Sequence, residues 1–246
     1  MKRSRWQLIF GLFLVVLSIV LYGFHYVIFR DTRHIFLWSF TSLAFLPISI
    51  LFVTLIINGL LSTREKRALL QKLNMIIGVF FSEVGTVLLT YFSDFDPKLG
   101  AIKKDLVVSS EWSDREFSGI DKSLKNYDFR VEINKINLKD LRSFLVEKRR
   151  FLTHLLENPN LLEHESFTNL LQAIFHLAQE LTFRDDVNEL TDTDSQHIAG
   201  DINRVYGLLV YQWLDYMKYL KDNYPYLFSL SMRTNPFDEK ASPIVK

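Results

Sequence analysis

Two histidine–carboxylate pairs stand four residues apart in this chain, His176 with Glu180 and His197 with Asp201. At i, i+4 on a helix, each pair presents an imidazole and a carboxylate from one face. Those are donors that bind divalent transition ions. Asp194, three residues before His197, has the carboxylate-x-x-His spacing of di-iron bundles. Such bundles need two of these motifs and two further glutamates converging at one level, and the rest of that set is missing. Asp194, His197, Asp201 and Arg204 share one face at the start of a helix, where a polar cluster commonly orders the helix start. His176 lies opposite an apolar stripe, beside Gln172 and Gln179, the setting of a solvated surface histidine.

Glu83 is the seventh candidate. It is the one carboxylate near the centre of LNMIIGVFFSEVGTVLLTYF, residues 73–92. No H-E-x-x-H, P-loop, dinucleotide fingerprint or G-x-S-x-G occurs. Catalytic, cofactor-binding and metal-ligating roles are therefore left unassigned, no cofactor is expected, and a non-enzymatic protein is favoured. Glu83, His176, Glu180, Asp194, His197, Asp201 and Arg204 remain the functional candidates.

The chain has no cysteine, which removes disulfides and thiolate metal sites, and its net charge of +1 gives no general attraction to nucleic acid. Tyr206, Tyr211, Trp213, Tyr216 and Tyr219 lack interleaved basic residues, so they fit a core better than a base-stacking platform.

The elements that must position these residues begin in a membrane pattern. Trp6 to Phe29 and Ile35 to Leu61 are 24 and 27 residues long without a lysine, arginine or acid, and a span takes about 20. The first is too long for the h-region of a signal peptide, and a second span follows at once. RDTRH, residues 30–34, links the two as a tight hairpin. Seven basic residues flank the outer ends of the hairpin (Lys2, Arg3, Arg5, Arg64, Lys66, Arg67, Lys72) against two in the link, Arg30 and Arg33. This asymmetry predicts both termini in the cytoplasm. Trp6, Tyr22, Tyr26 and Trp38 suit interfacial belts, His25 lies near the outer boundary, and Pro47 is expected to kink the second helix.

Beyond the hairpin, S-T-R-E at Ser62 has capping-box form and predicts a fresh helix over 63–92. Its apolar face is Leu69, Leu73, Ile76, Phe80, Val84, Val87 and Tyr91. Glu83 would cost on the order of 2.5 to 3.5 kcal/mol at a bilayer centre, while each large apolar residue returns about 0.3 to 0.6. With the cap and the flanking bases, the balance favours a helix buried in the domain over a third span. There Glu83 would need a donor, for which Arg204 is the nominee. Pro97 and Gly100 stop this helix; S-D-R-E at Ser113 starts a weaker one; Phe129, Val131 and Ile133 alternate as an edge strand or extended linker. Asn137 caps a helix that Asn158-Pro159-Asn160 breaks. Two more amphipathic helices follow, over about 166–183 and 194–222, and Pro225 ends the last.

The fold class read from this is mainly α: an N-terminal transmembrane helical hairpin (1–61, spans about 6–29 and 35–61), then a cytoplasmic antiparallel helical bundle (62–237), then a disordered tail (238–246). The expected location is the inner (cytoplasmic) membrane. The expected role is a membrane-tethered interaction, scaffold or regulatory module. Its partners would be the lipid bilayer and either a second copy of the chain or another protein, with no nucleic acid. The alternative is a membrane-bound metal-dependent enzyme or transport accessory subunit.

The segments LNMIIGVFFSEVG and NYPYLFSLSMRTNPF, with the leading hairpin, resemble those of a family of uncharacterised prokaryotic two-span membrane proteins of similar length. The resemblance covers nearly the whole chain and implies this architecture. It implies no activity.

Overall fold

A computed structural model describes residues 2–159, 161 and 164–244, without the side chains of 2–10, 60, 62, 63 and 65–68. The Ser62–Glu65 capping pair and Trp6 are among the side chains outside that description, as is Asn160. The described chain is mainly helical, with no strand among the described residues. It divides into two units, Met1–Lys66 and Arg67–Lys246.

In the first unit, α1 (Lys2–Phe29) and the opening part of α2 (Thr32–Phe80) form the hairpin. Its turn has a local cause: Arg30 takes a left-handed backbone at φ 48°, and the Asp31 carboxylate then accepts from the Arg33 and His34 amides at 3.0 and 3.1 Å. This caps two of the orphan donors at the start of α2. Leu12, Phe24, Phe36, Phe40 and Leu55 are each at least 60% exposed, as are many of their neighbours. Pro47 is accommodated inside α2.

The helix break expected at Ser62 does not occur; α2 continues to Phe80. Good helix formers (Arg, Glu, Lys, Ala, Leu) follow Ser62, so the backbone gains more by propagating than by restarting.

In the second unit the final turns of α2 pass into a π-helical turn, Phe81–Gly85, and then α3 (Thr86–Ser93). That turn carries one extra residue and rotates everything after it. Phe80 and Phe81 both point inward, and burial passes to Leu88, Leu89 and Phe92, while Val87 is 48% exposed and Tyr91 only partly buried. The regular 3.6-residue stripe is corrected at Val87, while Tyr91 still packs against the core. Gly85 makes the turn possible, since a Cβ there would lie 2.6 Å from the Phe81 ring and 2.7 Å from that of Phe80.

Four further helices complete the bundle with one short addition: α4 (Asp114–Lys125), α5 (Leu138–Leu156), α6 (Glu165–Phe183), α7 (Asp192–Asn223) and α8 (Pro225–Arg233). Ser113 and Glu116 form the capping box of α4, and Asn137 accepts from the Lys139 and Asp140 amides to cap α5. Phe167, Leu170, Leu171, Ile174, Leu177, Ala178 and Leu181 form one stripe along α6, and all seven are buried. α7 is the axis, with α3, α4, α6 and α8 packed on it and α5 on α6. Phe80 meets Phe167 edge-on at 5.2 Å, and Phe81 stacks on Tyr216 at 5.2 Å. α8 lies beyond the stop read at Pro225; proline there ends α7 and opens the next helix at its first position, where its missing N–H costs nothing.

Residues 129–133 pair with no strand. Glu132 N–H bonds Phe95 O at 2.9 Å, Val131 N–H bonds the Asn203 side chain at 2.9 Å, and Phe129 packs edge-on to Tyr206. Alternation here serves packing on α7 and needs no sheet. After α8, Phe237 is buried, and Asn235, also buried, holds Leu106 O at 2.9 Å.

Candidate functional site

The connection from α6 to α7, residues 184–191, folds the chain back so that the last turns of α6 face the first turns of α7. Three local devices hold it. Thr191 caps α7 by accepting from Asp194 N–H. Asp186 accepts from Asn188 N–H at 2.8 Å, and Val187 is buried. Arg142 of α5 donates to Thr182 O at 3.4 Å and Arg184 O at 3.0 Å, taking carbonyls that the end of α6 leaves without helical partners.

The result brings the two histidine–carboxylate pairs together. His176 Nε2 stands 3.4 Å from Asp201 Oδ2 and 3.8 Å from Glu180 Oε1. His197 Nε2 stands 3.6 Å from Asp201 Oδ2 and 3.7 Å from Glu180 Oε2. Donor atoms of His176, Glu180 and His197 all lie within 4.8 Å of one another. Both imidazoles are about half exposed, at 45% and 53%, whereas the Asp201 side chain is only 4% exposed. Its Oδ2, buried and aimed at the two imidazoles, accepts no hydrogen bond. Oδ1 faces Arg204 Nη1 at 3.6 Å, too long for a hydrogen bond.

Arg184 organises the other carboxylates. It donates to Glu180 Oε2 at 2.7 Å and to both Asp194 oxygens at 2.8 and 2.5 Å. By those hydrogen bonds the guanidinium holds Glu180 and Asp194 below the usual carboxylate range, so both are anions. Two imidazoles and two carboxylates so arranged can take up a divalent cation between them, or pair their own charges when the imidazoles are protonated.

Of the residues singled out in the sequence, His176, Glu180, Asp194, His197, Asp201 and Arg204 are in this cluster. Glu83 stands apart: it is half exposed and receives Lys148 Nζ of α5 at 3.0 Å, not Arg204. The π turn aims it out of the core, so no buried donor is required. Arg184 was not singled out, although its position four residues after Glu180 is a spacing that helices use for ion pairs.

An apolar groove of about 760 Å³ lies elsewhere in the second unit, lined by Met75, Gly78, Phe81, Tyr216, Leu227 and Leu230 among others. Glu83 is its only charged lining residue, so it gathers no set of groups comparable to the α6–α7 cluster.

A family model described as the C-terminal helical domain of the uncharacterized protein MJ1433 matches residues 69–233, and one for the N-terminal helical domain of MJ1433 matches residues 2–61. The protein called "Uncharacterized protein MJ1433" of Methanocaldococcus jannaschii is 47% identical over 241 residues, covering 98% of this chain and 97% of that protein. No solved structure matches. With both helical domains matched and a relative alike from end to end, the chain belongs to the MJ1433 family.

Proposed function

We propose that the chain is an integral protein of the cytoplasmic membrane, with both termini in the cytoplasm. Its hairpin anchors a helical domain that serves as an interaction or regulatory module at the membrane surface. The observation that carries this is a contrast in burial. Gly11–Phe29 and Thr32–Gly59 are long and apolar enough to cross a membrane, and no part of either apolar window is buried by protein, whereas 44% of the window in Leu69–Ser93 is. Such an apolar surface in water would be a severe aggregation liability, and lipid is the solvent that removes it. The Leu69–Ser93 stretch already has protein neighbours for its apolar side. The division of basic residues, seven to two, supports the orientation.

The absence of native cysteine makes the test direct. Single cysteines are placed at Thr32 in the hairpin turn and at Lys240 after α8, and intact cells are treated with a membrane-impermeant maleimide. Labelling at Thr32→Cys but not at Lys240→Cys is expected; labelling of the second alone overturns the orientation. Recovery of the chain in the soluble fraction without detergent overturns the anchor. Cross-linking in native membranes reads the module itself, and a chain that forms no adduct with itself or another protein counts against that role.

A further inference from the structure

We propose that His176, Glu180, His197 and Asp201 form a binding site for one divalent transition ion, of which zinc is the probe, stapling the end of α6 to the start of α7. This goes beyond the anchoring role and is independent of it. The first ground is convergence. Four donor groups from two helices meet, and each imidazole nitrogen lies 3.4 to 3.8 Å from both carboxylates. In a tetrahedral zinc site, bonds of about 2.0–2.1 Å place neighbouring donor atoms roughly 3.3 Å apart. The imidazole–carboxylate contacts lie within about half an ångström of that spacing, and the donor atoms of His176, Glu180 and His197, within 4.8 Å of one another, are close enough to draw in by side-chain rotation.

The second ground is independent of spacing. Asp201 is almost wholly buried, yet its Oδ2 accepts no hydrogen bond and points at both imidazole nitrogens. A buried carboxylate oxygen without a partner costs free energy that a cation would recover. Arg204 approaches only the other oxygen, Oδ1.

The third ground is the outer layer. Arg184 fixes Glu180 through Oε2 and through the Glu180 carbonyl at 2.6 Å, and is itself held by Asp194. Glu180 Oε1 is left facing His176. Ligating carboxylates are commonly oriented by such hydrogen bonds. Counting formal charges, Glu180, Asp194 and Asp201 against Arg184 and Arg204 leave one negative charge with neutral imidazoles, a favourable setting for a cation. No bond to carbon is made or broken in this step; the ion displaces water and any proton on the imidazoles.

The experiment uses the full chain in detergent, stripped with chelator, and titrates zinc chloride against a competing indicator. Saturation at one equivalent per chain is expected, with a rise in the thermal midpoint that chelator reverses. His176→Gln and His197→Gln alter exposed side chains and leave the core intact. Each is expected to weaken zinc by more than the roughly 10 to 100-fold that loss of an outer-layer partner costs, and to abolish the thermal shift. His154→Gln is the control: His154 and Glu157 make a comparable exposed pair at 3.7 Å, and this variant should bind as wild type. Absence of saturable binding overturns the site. So does equal binding by wild type and both cluster variants, or an equal loss in His154→Gln.

Discussion

Lys148 Nζ donates to Glu83 Oε2 across 3.0 Å and joins α5 to the π turn. Glu83 is half exposed and Lys148 is 22% exposed, so water shares the interaction. Exposed ion pairs contribute about 0 to 1 kcal/mol. Glu83→Gln is therefore expected to lower stability by no more than about 1 kcal/mol, read from urea unfolding of the detergent-solubilised chain. A loss of several kcal/mol would mean that this carboxylate sits in a drier setting than its exposure indicates.

Gly85 bears a heavier constraint. A methyl group at this position would fall 2.6 Å from Phe81 Cδ1 and 2.7 Å from Phe80 Cε1, and both rings are buried against further aromatics. Neither ring can swing away without disturbing the core. Gly85→Ala should cost about 1 to 3 kcal/mol, as overpacking does. Gly119, inside α4, has open space where its Cβ would be, so Gly119→Ala should instead stabilise by about 0.5 to 1 kcal/mol. Equal shifts for the two variants in the same unfolding series would refute the role given to Gly85.

The Arg184 hub predicts acid sensitivity of one sign. The folded-state pKa values of Glu180 and Asp194 are depressed, chiefly by hydrogen bonds from Arg184. Their contribution is thus complete above the unfolded carboxylate range, near pH 4, and is lost as pH falls through the lower folded values. In chelator, Arg184→Met should be less stable than wild type at pH 7, and the gap should narrow as pH falls below about 4. Other pairs that weaken in acid, such as Asp128 with Lys98, are common to both proteins and cancel in the comparison. A gap that stays constant across this range would exclude the hub as its source.

What the sequence made legible follows the range over which its signals act. Caps at Ser113 and Asn137 and the stripe of α6 are local patterns, and the structure contains each of them. The π turn breaks the uniform period on which such stripes rest, so the expected face is exposed at Val87. Spacing could place His176 beside Glu180 and His197 beside Asp201, one pair on each of two helices. It could not bring the pairs together, because that depends on how residues 184–191 turn and on Arg142, which is 40 and 42 positions away from the Thr182 and Arg184 carbonyls it holds. Asp201's burial was equally out of reach, since its own helix gives it polar neighbours.

A partly buried and a fully buried tyrosine near one carboxylate, Tyr127 and Tyr206, make the sharpest contrast. Asp96 is 8% exposed; its Oδ2 receives the Tyr127 hydroxyl at 2.6 Å and its Oδ1 receives Lys98 N–H at 2.9 Å. Tyr206 is fully buried and close enough to interact with the Asp96 carboxylate, yet its hydroxyl meets no partner with full hydrogen-bond geometry. Burial pushes both phenols far above the usual tyrosine range, so both are neutral hydroxyls. Tyr127→Phe would strip a buried carboxylate oxygen of its donor, at a cost of about 1 to 3 kcal/mol. Tyr206→Phe would remove a hydroxyl that was desolvated with only a poorly aligned approach to Asp96 in compensation, leaving the ring against Phe92 and Phe129. That variant should match or exceed wild-type stability, because an unpartnered buried polar group is a cost its removal relieves. Chemical unfolding of the two single variants at neutral pH decides the matter. Equal destabilisation would mean that Tyr206 has a hydrogen-bond partner after all, and a neutral Tyr127→Phe would mean that water replaces the phenol at Asp96.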